Sequence, residues 1–178
     1  MRRYLRDYSF LALIAGLVIT LDQISKAYVR SHLQLGQMWA PWDWLMPYAR
    51  IVYWSNTGVA FGMFQGRGQL FTLLSLLISI AIIYYFPRVS NGDWALRLAM
   101  GLQLGGAVGN LIDRITIGHV IDFISVGNFA VFNVADSSIT LGVIVLILGV
   151  WLQERQQKRQ NADSSPGSSP EGERPSIE

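Results

Sequence analysis

"GQLFTLLSLLISIAIIYYFP", residues 68–87, decides the fold. Arg67 precedes it, Arg88 follows it, and no charged residue lies between them. A helix of about 20 mostly apolar residues spans the hydrocarbon of a bilayer. Tyr84, Tyr85 and the flanking arginines are the anchors such a helix carries at the two interfaces. Working outward, three further stretches read the same way, at about 8–28, 95–113 and 137–153. The first holds Asp22 and Lys26 in its last third, and the third is short and rich in glycine. Two of the four are short for a full span, which would suit buried soluble helices. Aromatic and basic anchors at the ends (Tyr8, Trp94, Trp151) favour the membrane. The expected fold is an α-helical integral membrane protein with four transmembrane helices.

Composition agrees. The 178 residues suit one domain, 51% are hydrophobic and only 15% are charged, against roughly 25% in soluble domains. Without cysteine there is no disulfide framework, thiol nucleophile or thiolate metal site. The two histidines, His32 and His119, form no H-E-x-x-H pattern, so no metal and no other cofactor is expected. The net charge of +2 is small and the basic residues sit at helix ends. That excludes nucleic acid as the natural partner.

Residues 34–64 hold Trp39, Trp42, Trp44 and Trp54 among prolines and glycines. "RIVYW" reads as a strand and "SNTG" as a turn, giving a small extracytoplasmic β platform with an interfacial segment. "HVIDFISV" and "NFAVFNV", flanking Gly127-Asn128, add a hairpin or two extended pieces. The Trp-rich part is expected on the outer surface, packed over the helix ends. Residues 1–7 form a leader, 8–155 the membrane domain and 156–178 a disordered tail, rich in Ser, Pro, Gly and Glu. With both termini in the cytoplasm, nine of the fourteen basic residues lie inside, as the positive-inside rule favours. "SKA" at 25–27 loosely resembles a signal-peptide cleavage site, but Asp22 and Lys26 argue against cleavage.

Four carboxylates lie in or beside the spans: Asp22, Asp113, Asp122 and Asp136. Ionisable groups at membrane depth are costly and point to function. Asp22 and Lys26, four apart, share a helix face and suit a structural salt bridge. Gly101, Gly105 and Gly109 form a small-residue ridge for close helix packing or a dimer. Asn110 and Asp113 follow one turn on, then Arg114 on another face, and serve either structure or catalysis. Asp136 precedes the last span, where it suits a helix N-cap. Asp122 has only Val, Ile and Phe around it and no cation near in sequence. Two coupled carboxylates sharing one proton are a hydrolytic device, though transporters carry aspartate pairs too. A carrier with four spans has little room for alternating access and shows no inverted repeat. A scaffold would leave Asp122 unexplained.

Five ordered motifs then become specific: "DQISK" at 22–26, "NTGVAFG" at 56–62, "GGAVGNLIDR" at 105–114, "VIDF" at 120–123 and "FNVADS" at 132–137. Together they resemble signal peptidase II, the bacterial lipoprotein signal peptidase family, over roughly residues 8–155. The resemblance implies an aspartyl endopeptidase of the bacterial cytoplasmic (inner) membrane, with its active site toward the outer face. Its substrates would be diacylglyceryl-modified prolipoproteins, cut before the lipidated cysteine. Cyclic-peptide inhibitors such as globomycin and membrane lipid would be further partners. Asp122 and Asp136 match the family's catalytic aspartates, with Asp113 in reserve. Asp22, Lys26, Asn56, Gly58, Asn110, Arg114, Asn133 and Ala135 match positions that support the site or contact substrate.

Overall fold

The computed structural model of the protein describes residues 2–58 and 66–163. Its elements are α1 (Arg2–His32), β1 (Met38–Trp39), β2 (Ala49–Asn56), α2 (Gly68–Tyr85), α3 (Trp94–Thr116), β3 (Val120–Val126) and α4 (Val134–Asp163). A 3-10 turn at Asp43–Leu45 lies between β1 and β2, and another at Phe86–Arg88 follows α2. Pro87 in that second turn has no N–H to extend the helical ladder, so α2 stops there.

Among the described residues, four helices are long and apolar enough to cross a membrane: Tyr8–His32, Gly68–Arg88, Trp94–Thr116 and Val134–Asn161. All four expected spans are present. Leu13 at 69%, Leu77 at 55% and Ile147 at 62% exposure show apolar side chains turned outward on three of these helices. Such surface is costly in water and natural against lipid.

Helix α3 is the centre of the bundle and packs against α1, α2 and α4. Its glycine ridge makes the approach to α1 possible. A Cβ on Gly101 would lie 2.8 Å from Ile14 Cγ2, and one on Gly105 2.6 Å from Val18 Cβ. On Gly109 it would lie 2.7 Å from Asp22 Oδ2. The ridge therefore serves internal packing. Gly105→Val should lower the melting temperature in detergent, since forcing bulk into a tight contact costs about 1–3 kcal/mol. An unchanged melt would show that α1 and α3 do not approach this closely.

The three strands form one antiparallel sheet in the order β1-β2-β3. Between Ile51 and Trp54 the register with β3 slips by one residue, from Ile51 opposite Ile124 to Trp54 opposite Asp122. Strand side chains alternate faces, so this bulge resets which face residues 54–56 present. It puts Asn56, opposite Val120, on the face that carries Asp122. Phe132 forms an isolated antiparallel bridge with Ile124, so the second extended piece is only a bridge. Gly127 turns the chain after β3 with φ +50°.

Two boundaries differ from the sequence reading. Helix α1 begins at Arg2, so most of the leader 1–7 is helical. Helix α4 continues to Asp163, so residues 156–163 of the expected tail are helical too. "QERQQKRQNA" consists mostly of good helix formers, which extend the turn already begun in the span. Residues 59–65 of the platform and 164–178 of the tail lie outside the described residues.

Candidate active site

Residues from five elements meet where α1, α3 and α4 approach the sheet. At the bottom is Lys26, only 2% exposed. Its three N–H donors find three acceptors: Asp22 Oδ2 at 2.7 Å, Asp113 Oδ2 at 2.9 Å and Asn110 Oδ1 at 3.0 Å. No donor of the ammonium is left unpaired, which is the condition for keeping such a charge inside.

The two flanking carboxylates are held from both sides. Asp22 Oδ1 accepts the backbone N–H of Ala135 in the first turn of α4, at 3.0 Å. Ala135 is fully buried, and its side chain leaves room for Gly109 of α3 close by. Asp113 Oδ2 accepts the N–H of Ile121 on β3, at 3.1 Å, and Oδ1 accepts Gln23 Nε2, at 3.1 Å. Asp113 is therefore engaged by a cation, a backbone amide and a side-chain amide.

Three asparagines form the next layer. Lys26 and Asn133 both donate to Asn110 Oδ1, which turns Asn110 Nδ2 toward Asp136 Oδ1, 2.8 Å away. Asn133 Nδ2 also reaches Asp122 Oδ1 at 2.7 Å, while its backbone N–H donates to Asp136 Oδ2 at 3.2 Å. Asn56 Nδ2 donates to Asp122 Oδ2 at 2.8 Å, and Asn56 Oδ1 accepts the N–H of Gly58 at 2.9 Å. The last contact fixes which end of the Asn56 amide faces the carboxylate.

The expectation that Asp136 caps α4 needs correction. Asn133 is the capping residue, since its Oδ1 accepts the N–H of Asp136 at 2.9 Å. Asp136 sits three residues on and accepts the Asn133 N–H in return, forming a reciprocal capping box. A carboxylate there is still favoured by the positive end of the helix.

Asp122 and Asp136 open onto one cleft of about 620 Å³. Asn56, Gly58, Asn110 and Arg114 line it beside them, and Phe129, Phe132, Ile139 and Ile144 form its apolar wall. Asp22, Lys26 and Asp113 lie behind this lining, and so does the buried Asn133. Burial, with the Asp136 carboxylate nearby, pushes the Asp122 carboxyl up to about 7, against the pull of the Asn56 and Asn133 amides. Arg114 is near enough to Asp136 and Asp122 to interact with both, and its Nη1 also reaches Ser75 Oγ at 3.5 Å.

Every site residue named from the sequence lies in this one cluster or its lining. The sequence reading passed over Gln23, which also donates to Asp22 Oδ2 and the Gly109 carbonyl. Its amide position inside an apolar span was the available signal. Trp39, Trp42 and Trp44 are exposed on the platform and absent from the cleft lining, and Trp42 stacks on Trp44 at 6.0 Å. They suit a membrane interface.

A family model described as signal peptidase (SPase) II matches residues 14–152. A lipoprotein signal peptidase of Bacillus subtilis is 38% identical over 152 residues, which is 83% of this chain and 97% of that one. One of Streptococcus agalactiae is 35% identical over 144 residues, 80% of this chain and 92% of its own. A solved bacterial membrane enzyme superimposes with a TM-score of 0.72 at 28% identity, covering 89% of this chain and 93% of that one.

Proposed function

This chain belongs to the signal peptidase II family, and from that premise we propose that it cleaves prolipoproteins with Asp122 and Asp136 as its catalytic pair. It is a multi-pass membrane protease of lipoprotein processing. The single observation behind the mechanism is that these two carboxylates, bridged by Asn133, are the ones that open onto the cleft.

In this reading Asp136 is ionised. It accepts Asn110 Nδ2, the Asn133 N–H and the field of the α4 N-terminus, all of which favour negative charge. It takes a proton from a water in the cleft, and the resulting hydroxide attacks the scissile carbonyl. Asp122 carries the shared proton and gives it to the carbonyl oxygen, where charge develops. On collapse of the intermediate Asp122 takes that proton back and the C–N bond breaks. The proton held by Asp136 passes to the leaving nitrogen, giving a carboxyl group and a free amine. Arg114 tempers the pair's negative charge from the cleft wall. Asp113, bound on both oxygens behind the lining, is a support for Lys26 and β3. The remaining matched positions hold the pair in place.

The substrate cysteine bears a diacylglyceryl group, cleavage falls just before it, and the acyl chains lie along the apolar wall of Phe129, Phe132, Ile139 and Ile144. A cyclic peptide such as globomycin would occupy the same cleft. The four candidate crossings among the described residues would return the chain to its starting side, and the excess of Lys and Arg there favours the cytoplasm for it, with the sheet facing out. Residues 8–155 make up the peptidase domain.

The pH dependence tests the proton assignment. Asp122's folded-state value, about 7, exceeds the unfolded value of about 3.9. Its protonated form is thus the favoured folded form, and stability declines as pH rises between those two values. The proton on Asp122 is needed for cleavage, so kcat/KM should fall as pH rises through about 7. Asn56→Ala removes a hydrogen bond that favours the ionised form and should move this falling limb to higher pH. A profile flat between about pH 6 and 9 would assign the proton elsewhere.

A further inference from the structure

At the other end of the bundle lies a second cleft, of about 560 Å³, lined by Tyr8, Ile80, Ile83, Tyr84, Pro87 and Arg88. Helix α2 separates it from the carboxylates. Gly68, at the near end of α2, sits beside Thr57 and Gly118 next to the sheet. The 18 residues of α2 then rise by roughly 27 Å at 1.5 Å per residue. The two clefts therefore meet opposite leaflets.

We propose that this second cleft binds an anionic phospholipid, with Arg88 on its phosphate and Ile80 and Ile83 against an acyl chain. Several observations support this. Ile80 and Ile83 are 54% and 45% exposed within a membrane-crossing helix, so lipid tails are what they face. Arg88 lies one turn beyond, at the helix end, where headgroups begin. Its guanidinium lies 4.0 Å from the Tyr84 ring centroid and 5.5 Å from that of Tyr85, with Nη1 donating to the Tyr84 carbonyl. These contacts hold the fork in place while other N–H donors of the guanidinium stay available. Among the residues whose side chains are described, from Tyr8 onward, no carboxylate forms an ion pair with Arg88. Tyr8 Oη, donating to the Ile83 carbonyl at 3.3 Å, ties α1 to α2 across the cleft floor. A fixed guanidinium above an apolar groove matches a phosphate on a glycerol with two acyl chains.

The full chain in mild detergent, examined by native mass spectrometry, provides the test, with dioleoylphosphatidylglycerol and dioleoylphosphatidylcholine as probes. The wild-type chain should retain the phosphatidylglycerol in preference to the zwitterionic lipid. Arg88→Gln should lower that retention about fivefold, and Arg88→Lys should restore much of it. Arg155→Gln, at another exposed arginine resting on an aromatic ring (Trp151, 3.8 Å), should change nothing. Equal retention by Arg88→Gln and wild type would overturn the proposal. So would equal loss in Arg155→Gln, which would reduce the effect to general surface charge. Displacement of the lipid by millimolar inorganic phosphate would likewise overturn it, by revealing a free-anion site. Peptidase activity is not a readout, so the result stands apart from the assignment of Asp122 and Asp136.

Discussion

Asp122→Asn and Asp136→Asn are each expected to abolish cleavage of a diacylglyceryl-modified prolipoprotein peptide by the purified protein in detergent. A loss of ~10⁴-fold corresponds to about 5–6 kcal/mol of barrier. Asparagine keeps the shape of the side chain and an oxygen that can accept Asn110 Nδ2 or Asn133 Nδ2. It cannot take a proton from water, and it cannot serve as the acid. Each aspartate accepts a donor on both oxygens, and asparagine keeps only one acceptor. Helical content should therefore stay close to wild type and the melt should fall only by one hydrogen bond's worth, about 1 kcal/mol, while turnover disappears. Chelators and reagents for serine or cysteine should leave the wild-type reaction intact. Near-normal turnover in either variant would misassign the pair, and Asp113→Asn would be the next substitution to assay.

The largest effect on stability is expected at Lys26. Lys26→Met removes one positive charge and leaves Asp22 and Asp113, both at most 4% exposed, facing each other without a cation. Breaking a buried ion pair in this way costs about 3–5 kcal/mol. Asn110 also loses the donor that helps to orient it toward Asp136, so activity should fall along with the melt. Adding Asp22→Asn and Asp113→Asn to Lys26→Met removes the stranded charges and should recover much of the lost stability. A single Lys26→Met variant that melts like wild type in detergent would show that the triad is not closed to water.

The two predictions separate chemistry from scaffold, and the structure suggests why both depend on neighbouring groups. Lys26 touches no substrate-facing surface, yet it is joined to Asp136 through one asparagine. Asp122 is joined to Asp136 through another. The cluster is a continuous chain of donors and acceptors running from a buried salt bridge to the cleft. In such networks the loss of one member is felt by the rest.

Much of this was legible in the residues themselves. An uncharged run such as 68–87 can satisfy its backbone only as a helix when no water is available, so the sequence alone fixes a membrane-crossing bundle. Asp22 and Lys26 are one helical turn apart, so their pairing is local and readable. Glycines at 101, 105 and 109 announce a close helix contact, again from one face of one helix.

What the sequence left open was decided by contacts between distant segments. Asp122 looked bare because no cation lies near it in the chain. The fold gives it Asn56 from 66 residues away and Asn133 from the start of α4. The bulge in β2 that turns Asn56 toward it depends on strand pairing, which no local pattern specifies. Asp113 and Asp122 are both carboxylates near span ends, and by spacing alone Asp113 serves either structure or catalysis. Only packing puts the first behind the lining, against Lys26, and the second on the cleft. Local propensity and hydropathy are properties of short stretches, so the sequence carries them openly. The environment of a charge is a property of everything packed around it, and here that is assembled from five separate elements.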